Sequence, residues 1–178
     1  NVIATDADGL NDTQAVTVAV TNVNEAPDVT SSAAGTVAEN AATSTVIYTA
    51  AASDVDANDT LTYSVSGTDA ALVNIDAATG EVTLKNSANF EAKASYSFNV
   101  IATDADGLND TQAVTVSVTD ANDSPVFGAA TATSSIAENA ATSTLIFDAS
   151  ATDEDSGDTL SYSVSGTDAA LVNIDAAT

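Results

Sequence analysis

NVIATDADGLNDTQAVTV occupies Asn1–Val18 and returns unchanged at Asn99–Val116, 98 residues later. Around the second occurrence, Tyr96, Phe98, Val100 and Ala102 alternate with mostly polar residues, and so do Val114, Val116 and Val118. A period of two puts one face of an extended strand inward and leaves the other in water. Between the two runs stands DADG, Asp104–Gly107, with a glycine where a turn calls for positive φ. Two strands about a turn, repeated at a domain-sized interval, point to an all-β chain.

Other stretches repeat as well. AENAATST recurs at Ala38 and Ala137, and the twenty residues from Thr60 return from Thr159 with Ser161 in place of Thr62, both at an offset of 99. One residue has therefore been inserted between the NEAP and AEN stretches. A unit of about a hundred residues is far longer than a solenoid period and long enough to fold as a complete domain. Within it, further alternating runs are Val46, Tyr48 and Ala50; Leu61, Tyr63 and Val65; and Val82 and Leu84. A first strand around Val37 and a short one at Leu72–Ile75 bring the count to about seven, which suits an antiparallel Greek-key β-sandwich of immunoglobulin type. The expected organisation is the C-terminal strands of one repeat at 1–23, a complete repeat at 24–121 and the N-terminal part of the next at 122–178. The chain thus reads as an excerpt from an array of tandem sandwiches.

Charge narrows the partners. Two lysines, Lys85 and Lys93, face twenty-six carboxylates, for a net charge of −24. Such a chain repels nucleic acid and anionic membranes, and its natural partners are cations. With no His and no Cys, every donor is oxygen, which selects a hard ion such as calcium over zinc or copper. The missing cysteines leave the redox compartment open. No apolar run approaches the roughly 20 residues of a spanning helix, so no membrane insertion is expected of this stretch.

The acids concentrate at strand ends and in loops: Glu39 in AEN, Asp54 and Asp56 in SDVD, Glu91 in NFEAK, Asp104 and Asp106 in ATDADG, and Asp120 and Asp123 in DANDSP. A single loop Asp is ordinarily a solvated turn residue. A recurring set able to converge is what a calcium ion with six to eight oxygen ligands requires. DADGLND loosely matches the start of a helix–loop–helix calcium loop, but position twelve is Thr115 and the flanks are strands. Asn-x-Thr triplets at Asn11, Asn58 and Asn109 read most simply as turn residues.

The order of motifs resembles the cadherin repeat: AEN at the first strand, DxD after the second, IDAATGEVTL in the middle, FEAKASYSFNVIATDADG across the sixth, and VTDANDSPVF as the exit linker. It is most similar to the cadherin-like repeats of large bacterial surface proteins, where NEAP and near-identical successive copies are typical. That resemblance implies calcium held between consecutive repeats. At the second linker it implies ligands from Glu39 and Glu91 upstream, Asp120, Asn122 and Asp123 within, and Asp153 and Asp155 downstream, with Asn122 offering its backbone carbonyl. At the first linker it implies Asn24 and Glu25 with Asp54, Asp56 and Asp104. Asn89 and Phe90 depart from the family's Asp-Arg-Glu motif, Asn22 stands where the other linker has Asp120, and NDSP is one residue short. Each departure implies fewer or weaker ions.

The implied function is a non-catalytic, calcium-stiffened spacer of an extracellular adhesin. Its partners would be neighbouring repeats, with homophilic contacts or a cell-surface polysaccharide beyond them. Recurrence of the acids in every copy, at domain ends rather than in one cleft, argues against an acid–base pair for glycoside cleavage. A carbohydrate-binding module is the first alternative, but it lacks Trp, and Tyr63, Tyr96, Phe98 and Tyr162 sit at inward positions. A segment of an extracellular filament is the second. An isopeptide from Lys85 or Lys93 to an Asn is chemically open and nothing in the spacing calls for it.

Overall fold

The structure, a computed structural model, describes residues 1–56, 59–129 and 131–177, so Asn58 of the second Asn-x-Thr triplet lies outside the described residues. One hairpin opens the chain, β1 (Val2–Thr5) with β2 (Asn11–Gln14). Nine strands follow: β3 (Asp28–Val29), β4 (Ala34–Ala38), β5 (Val46–Thr49), β6 (Ala52–Ser53), β7 (Thr62–Ser66), β8 (Val73–Ile75), β9 (Glu81–Leu84), β10 (Ser95–Thr103) and β11 (Asn109–Thr119). Beyond them, among the described residues, come β12 (Val126–Phe127) and β13 (Ala151–Thr152), which pair with each other. Short 3-10 turns at Ala70–Leu72 and Ala169–Leu171 occupy matching places in the repeat.

Strands β3 to β11 build the sandwich. One sheet has the order β4-β11-β10-β7, the other β5-β9-β8, with β3 and β6 as a short extra pair. Pairings are antiparallel except β4 with β11, where the first strand of the sheet lies parallel to the last. The seven strands expected from alternation are all present, and the β3–β6 pair adds two that are too short to show a period. Between the sheets lie Val37, Ile47, Tyr48, Val73, Val82, Leu84, Tyr96, Phe98, Val100, Val114, Val116 and Val118, all buried. Tyr48 and Phe98 meet edge to face at 6.3 Å, a favoured aromatic geometry.

Alternation fails at one expected position. Val46 is 43% exposed while Ile47 and Tyr48 are both buried, because the β5–β9 register shifts between Val46 and Tyr48. A bulge puts two successive residues against one and so turns both inward. Gly80, at φ 73°, lets the turn before β9 approach β5 so closely that a β-carbon there would stand 2.5 Å from the Ala50 carbonyl oxygen.

Past the end of β7, the edge of β10 would be open at Ser97. Asp69 closes it: its N–H donates to the Ser97 carbonyl at 3.0 Å, and its Oδ2 accepts the Ser97 N–H at 2.7 Å. The residue thus completes the ladder as a strand neighbour would, which guards an edge against other chains. Lys93 pairs with the same carboxylate at 3.0 Å and lies over the Tyr96 ring, while Lys85 donates to the Ala71 carbonyl. Neither lysine is placed against an asparagine by these contacts.

Candidate metal centre

Glu39 follows β4 at the end of the sandwich, and the next residue, Asn40, has φ 58°, a left-handed turn that asparagine tolerates. The side chain is 3% exposed. Its two oxygens accept the Phe90 N–H at 2.8 Å and the Ala121 N–H at 2.7 Å, and these two donors hold the carboxyl below its ordinary range. Glu39 is therefore charged and clamped between the NFEAK loop and the exit linker.

Around it the second joint assembles. Carboxylate oxygens of Glu39, Glu91 and Asp120 lie within 4.8 Å of one another, as do those of Glu91, Asp123 and Glu154, and those of Asp153, Asp155 and Asp158. Three contacts cross the joint: Asn40 donates to Asp123 at 3.0 Å, Asn89 donates to Glu154 at 2.6 Å, and the Asp123 N–H donates to Asp155 at 2.6 Å. Burial pushes the Asp120 carboxyl up, and Asp155 and Glu39 add repulsion. Glu91 is drawn down by its own N–H, but burial and the charges of Glu39, Asp120 and Asp155 outweigh that and raise it. The Asn122 side-chain amide donates to the Asp123 carbonyl.

The first joint is built from the same parts. Asp54, Asp59 and Asp104 bring carboxylate oxygens within 4.8 Å of one another. Asn24 donates to Asp104 at 2.8 Å, and Asp56 accepts the Glu25 N–H at 2.8 Å and the Asn22 amide. Burial works upward on Asp104, but the Asn24 amide and the Leu108 and Gly107 N–H groups together hold it low. Asp56 is held low by the Glu25 N–H and then by Asn22. Asp59 is raised, first by burial and then by Asp54 and Asp104.

Of the twelve expected residues, eight fall in acid clusters and four do not. Asp54 and Asp104 cluster, as do Glu39, Glu91, Asp120, Asp123, Asp153 and Asp155; Asn24, Glu25, Asp56 and Asn122 act through the hydrogen bonds above. The clusters also include Asp59, Asp158 and Glu154, which the sequence analysis did not name. Asp59 and Asp158 recur at the offset of 99, directly before a repeated Thr-Leu pair, and that recurrence was a usable signal. Glu154 had none, since the matching residue is Val55.

A cation fits these residues. Asp54 Oδ2 and Asp59 Oδ2 are buried with no hydrogen-bond donor, although each belongs to a group that gains from one. Buried carboxylate oxygens without a donor, in residues that cluster with Asp104 and offer only oxygen ligands, suit a hard divalent ion.

The family model described as Cadherin domain matches residues 33–119. That span holds β4 to β11 and both sheets of the sandwich. Human protocadherin Fat 4 is 36% identical over 140 residues, covering 74% of this chain and 3% of that protein. Among solved structures, human protocadherin-24 EC1-2 is similar at 28% identity and a TM-score of 0.58, over 75% of this chain and 64% of that one. The protocadherin GammaB4 extracellular domain is similar at 25% identity and a TM-score of 0.58, over 96% of this chain and 31% of that one. The cadherin likeness thus extends over most of the chain, while the chain spans only a small part of its curated relative.

Proposed function

We propose that the chain is a length of cadherin repeats stiffened by calcium, serving as a structural spacer in an extracellular adhesive protein. Its repeats divide at 1–23, 24–121 and 122–178. The observation that carries the reading is the cluster of Glu91, Asp123 and Glu154, which draws one carboxylate from the sandwich, one from the linker and one from the next repeat. Without counterions such a joint repels itself. Bound calcium supplies the positive charge that makes the three segments attract.

Glu39, Glu91, Asp120, Asp123, Asp153 and Asp155, with Glu154, Asp158 and the Asn122 carbonyl, would hold it at the second joint. Asp54, Asp59 and Asp104, with Asn24, Glu25 and Asp56, would hold it at the first. The role is non-catalytic, consistent with acids that recur at domain ends. Near-identical successive repeats and the NEAP linker support a bacterial surface protein as the setting, although the relatives reported above are protocadherins. Among the described residues no helix is long and apolar enough to cross a membrane. A sugar platform is the weaker reading, because Tyr48, Tyr96 and Phe98 are buried and the Tyr63 hydroxyl accepts the Ala52 N–H.

Small-angle scattering in millimolar calcium and in EDTA tests the proposal. Calcium should lengthen and stiffen the particle; identical profiles in the two buffers would refute it.

A further inference from the structure

The outward residues of β4, β11, β10 and β7 include no acid and no base, in a chain whose net charge is −24. Most are Ser or Thr, and the register sets them in rows across the sheet: Thr36, Ser117 and Ser95 form one row, and Ile101 lies between Thr111 and Ser64 in another. The other sheet differs, since Glu81 is exposed on β9. Two copies that approach through their acidic strand ends bring like charges together, which opposes any close contact. Through this uncharged face they do not.

The same face carries a knob and a hole. Ile101, half-buried, is the large apolar side chain among its outward residues. Two residues away along β10, or about 7 Å, stands Asn99. Asn99, Gly67, Ser97, Ala113 and Thr115 rim a notch of about 310 Å³. It opens where β7 ends at Ser66 and where Ala113, the neighbour of Asn99 on β11, is small. A two-fold axis lying in the contact plane and crossing β10 between Asn99 and Ile101 lays each Ile101 over the notch of the other copy. Association by an added strand is blocked on this side, because the Tyr63 N–H is taken by the Ala77 carbonyl at 2.9 Å and Asp69 occupies both backbone groups of Ser97.

We propose that this face packs against the same face of a second copy, strands antiparallel, with Ile101 of each seated in the notch of the other. The contact is isologous, one patch serving both partners. At about 4.8 Å between strands and about 3.4 Å per residue, the four strands present roughly 500 Å² per copy. A standard stable complex buries about 800 Å² per partner, so the contact made by one repeat is weak. It gains by repetition, since the stretch Asn99–Val116 that supplies most of β10 and β11 recurs in the chain. None of the residues in contact is a carboxylate, so the association stands apart from the calcium reading above. The outward residues include no aromatic ring for a sugar to stack on, which favours a second copy over a polysaccharide.

Sedimentation velocity of the 178-residue chain at rising concentration tests this. The mass should climb above the monomer, and more steeply when sodium chloride is raised from about 0.05 M to about 0.5 M, because salt screens the repulsion of the remaining surface without weakening an uncharged contact. Ala113→Asp puts an acid at the centre of the contact in both copies, and Ile101→Ser removes the knob; each should weaken association by about tenfold or more. Ala113 is exposed, so the A113D chain should keep its melting temperature. Asn74→Asp, exposed on β8 of the other sheet, adds the same charge and should leave association unchanged. A wild type monomeric at both salts, A113D or I101S associating as the wild type does, or N74D weakening the contact as much as A113D would overturn the proposal. So would a monomeric wild type that retains a polysaccharide and loses it on A113D, since the face then belongs to a sugar.

Discussion

Replacing Asp69 with alanine removes a side chain that is 9% exposed and completes the β10 edge. The part-buried Ser97 N–H would lose a charged acceptor, which costs about 1–3 kcal/mol and falls toward the lower end where water can reach the group. Lys93 is 37% exposed, so it returns to water and its lost ion pair adds about 0–1 kcal/mol. The Asp69 N–H to Ser97 carbonyl bond belongs to the backbone and survives. The sum is about 1–4 kcal/mol, at roughly 4–8 °C in Tm for each kcal/mol in a unit of about a hundred residues. Urea and thermal unfolding measure it. The pH dependence supplies a second check, since the Ser97 N–H and then Lys93 hold the Asp69 carboxyl below its reference value of 3.8. A depressed carboxyl stabilises fully above the unfolded value and loses that contribution as pH falls through the folded one. The gap between wild type and D69A should therefore be constant near neutrality and narrow in acid below 3.8. A loss below about 0.5 kcal/mol, or a gap undiminished in strong acid, would show that Asp69 does not close the edge.

Asp59, Glu91 and Asp120 are raised carboxyls, which lose stability as pH rises through them, so in EDTA the chain should become more stable on acidification from neutrality toward their reference values of 3.8 and 4.5. Below that, protonation of the depressed Glu39, Asp76 and Asp110 should reverse the trend, and calcium should abolish the initial rise; a flat melting profile in EDTA would contradict this. Glu154→Gln should weaken calcium binding at the second joint by about threefold to tenfold through lost ligand charge, leaving the first joint, where Val55 takes that place, unchanged by calorimetry. Gly80→Ala forces a β-carbon against the Ala50 carbonyl at positive φ and should cost about 1–3 kcal/mol in thermal unfolding without altering calcium affinity.

Repetition and period two made the all-β class, the seven main strands and the loop acids legible, because burial of a sheet face is written directly into alternate residues. Val46 was misplaced because a bulge depends on how β5 meets β9, a pairing that neither strand encodes alone. The sequence drew no expectation for Asp69, and only the end of β7 beside Ser97 makes it an edge cap. Glu154 has no acidic counterpart in the other copy, and only the linker brings it within reach of Glu91. The sequence by itself determined which residues are apolar, which are acidic and how often each recurs. The tertiary structure alone decided which acids share a site, because carboxylates as far apart as Glu39 and Asp120 meet only when β4 is laid beside β11.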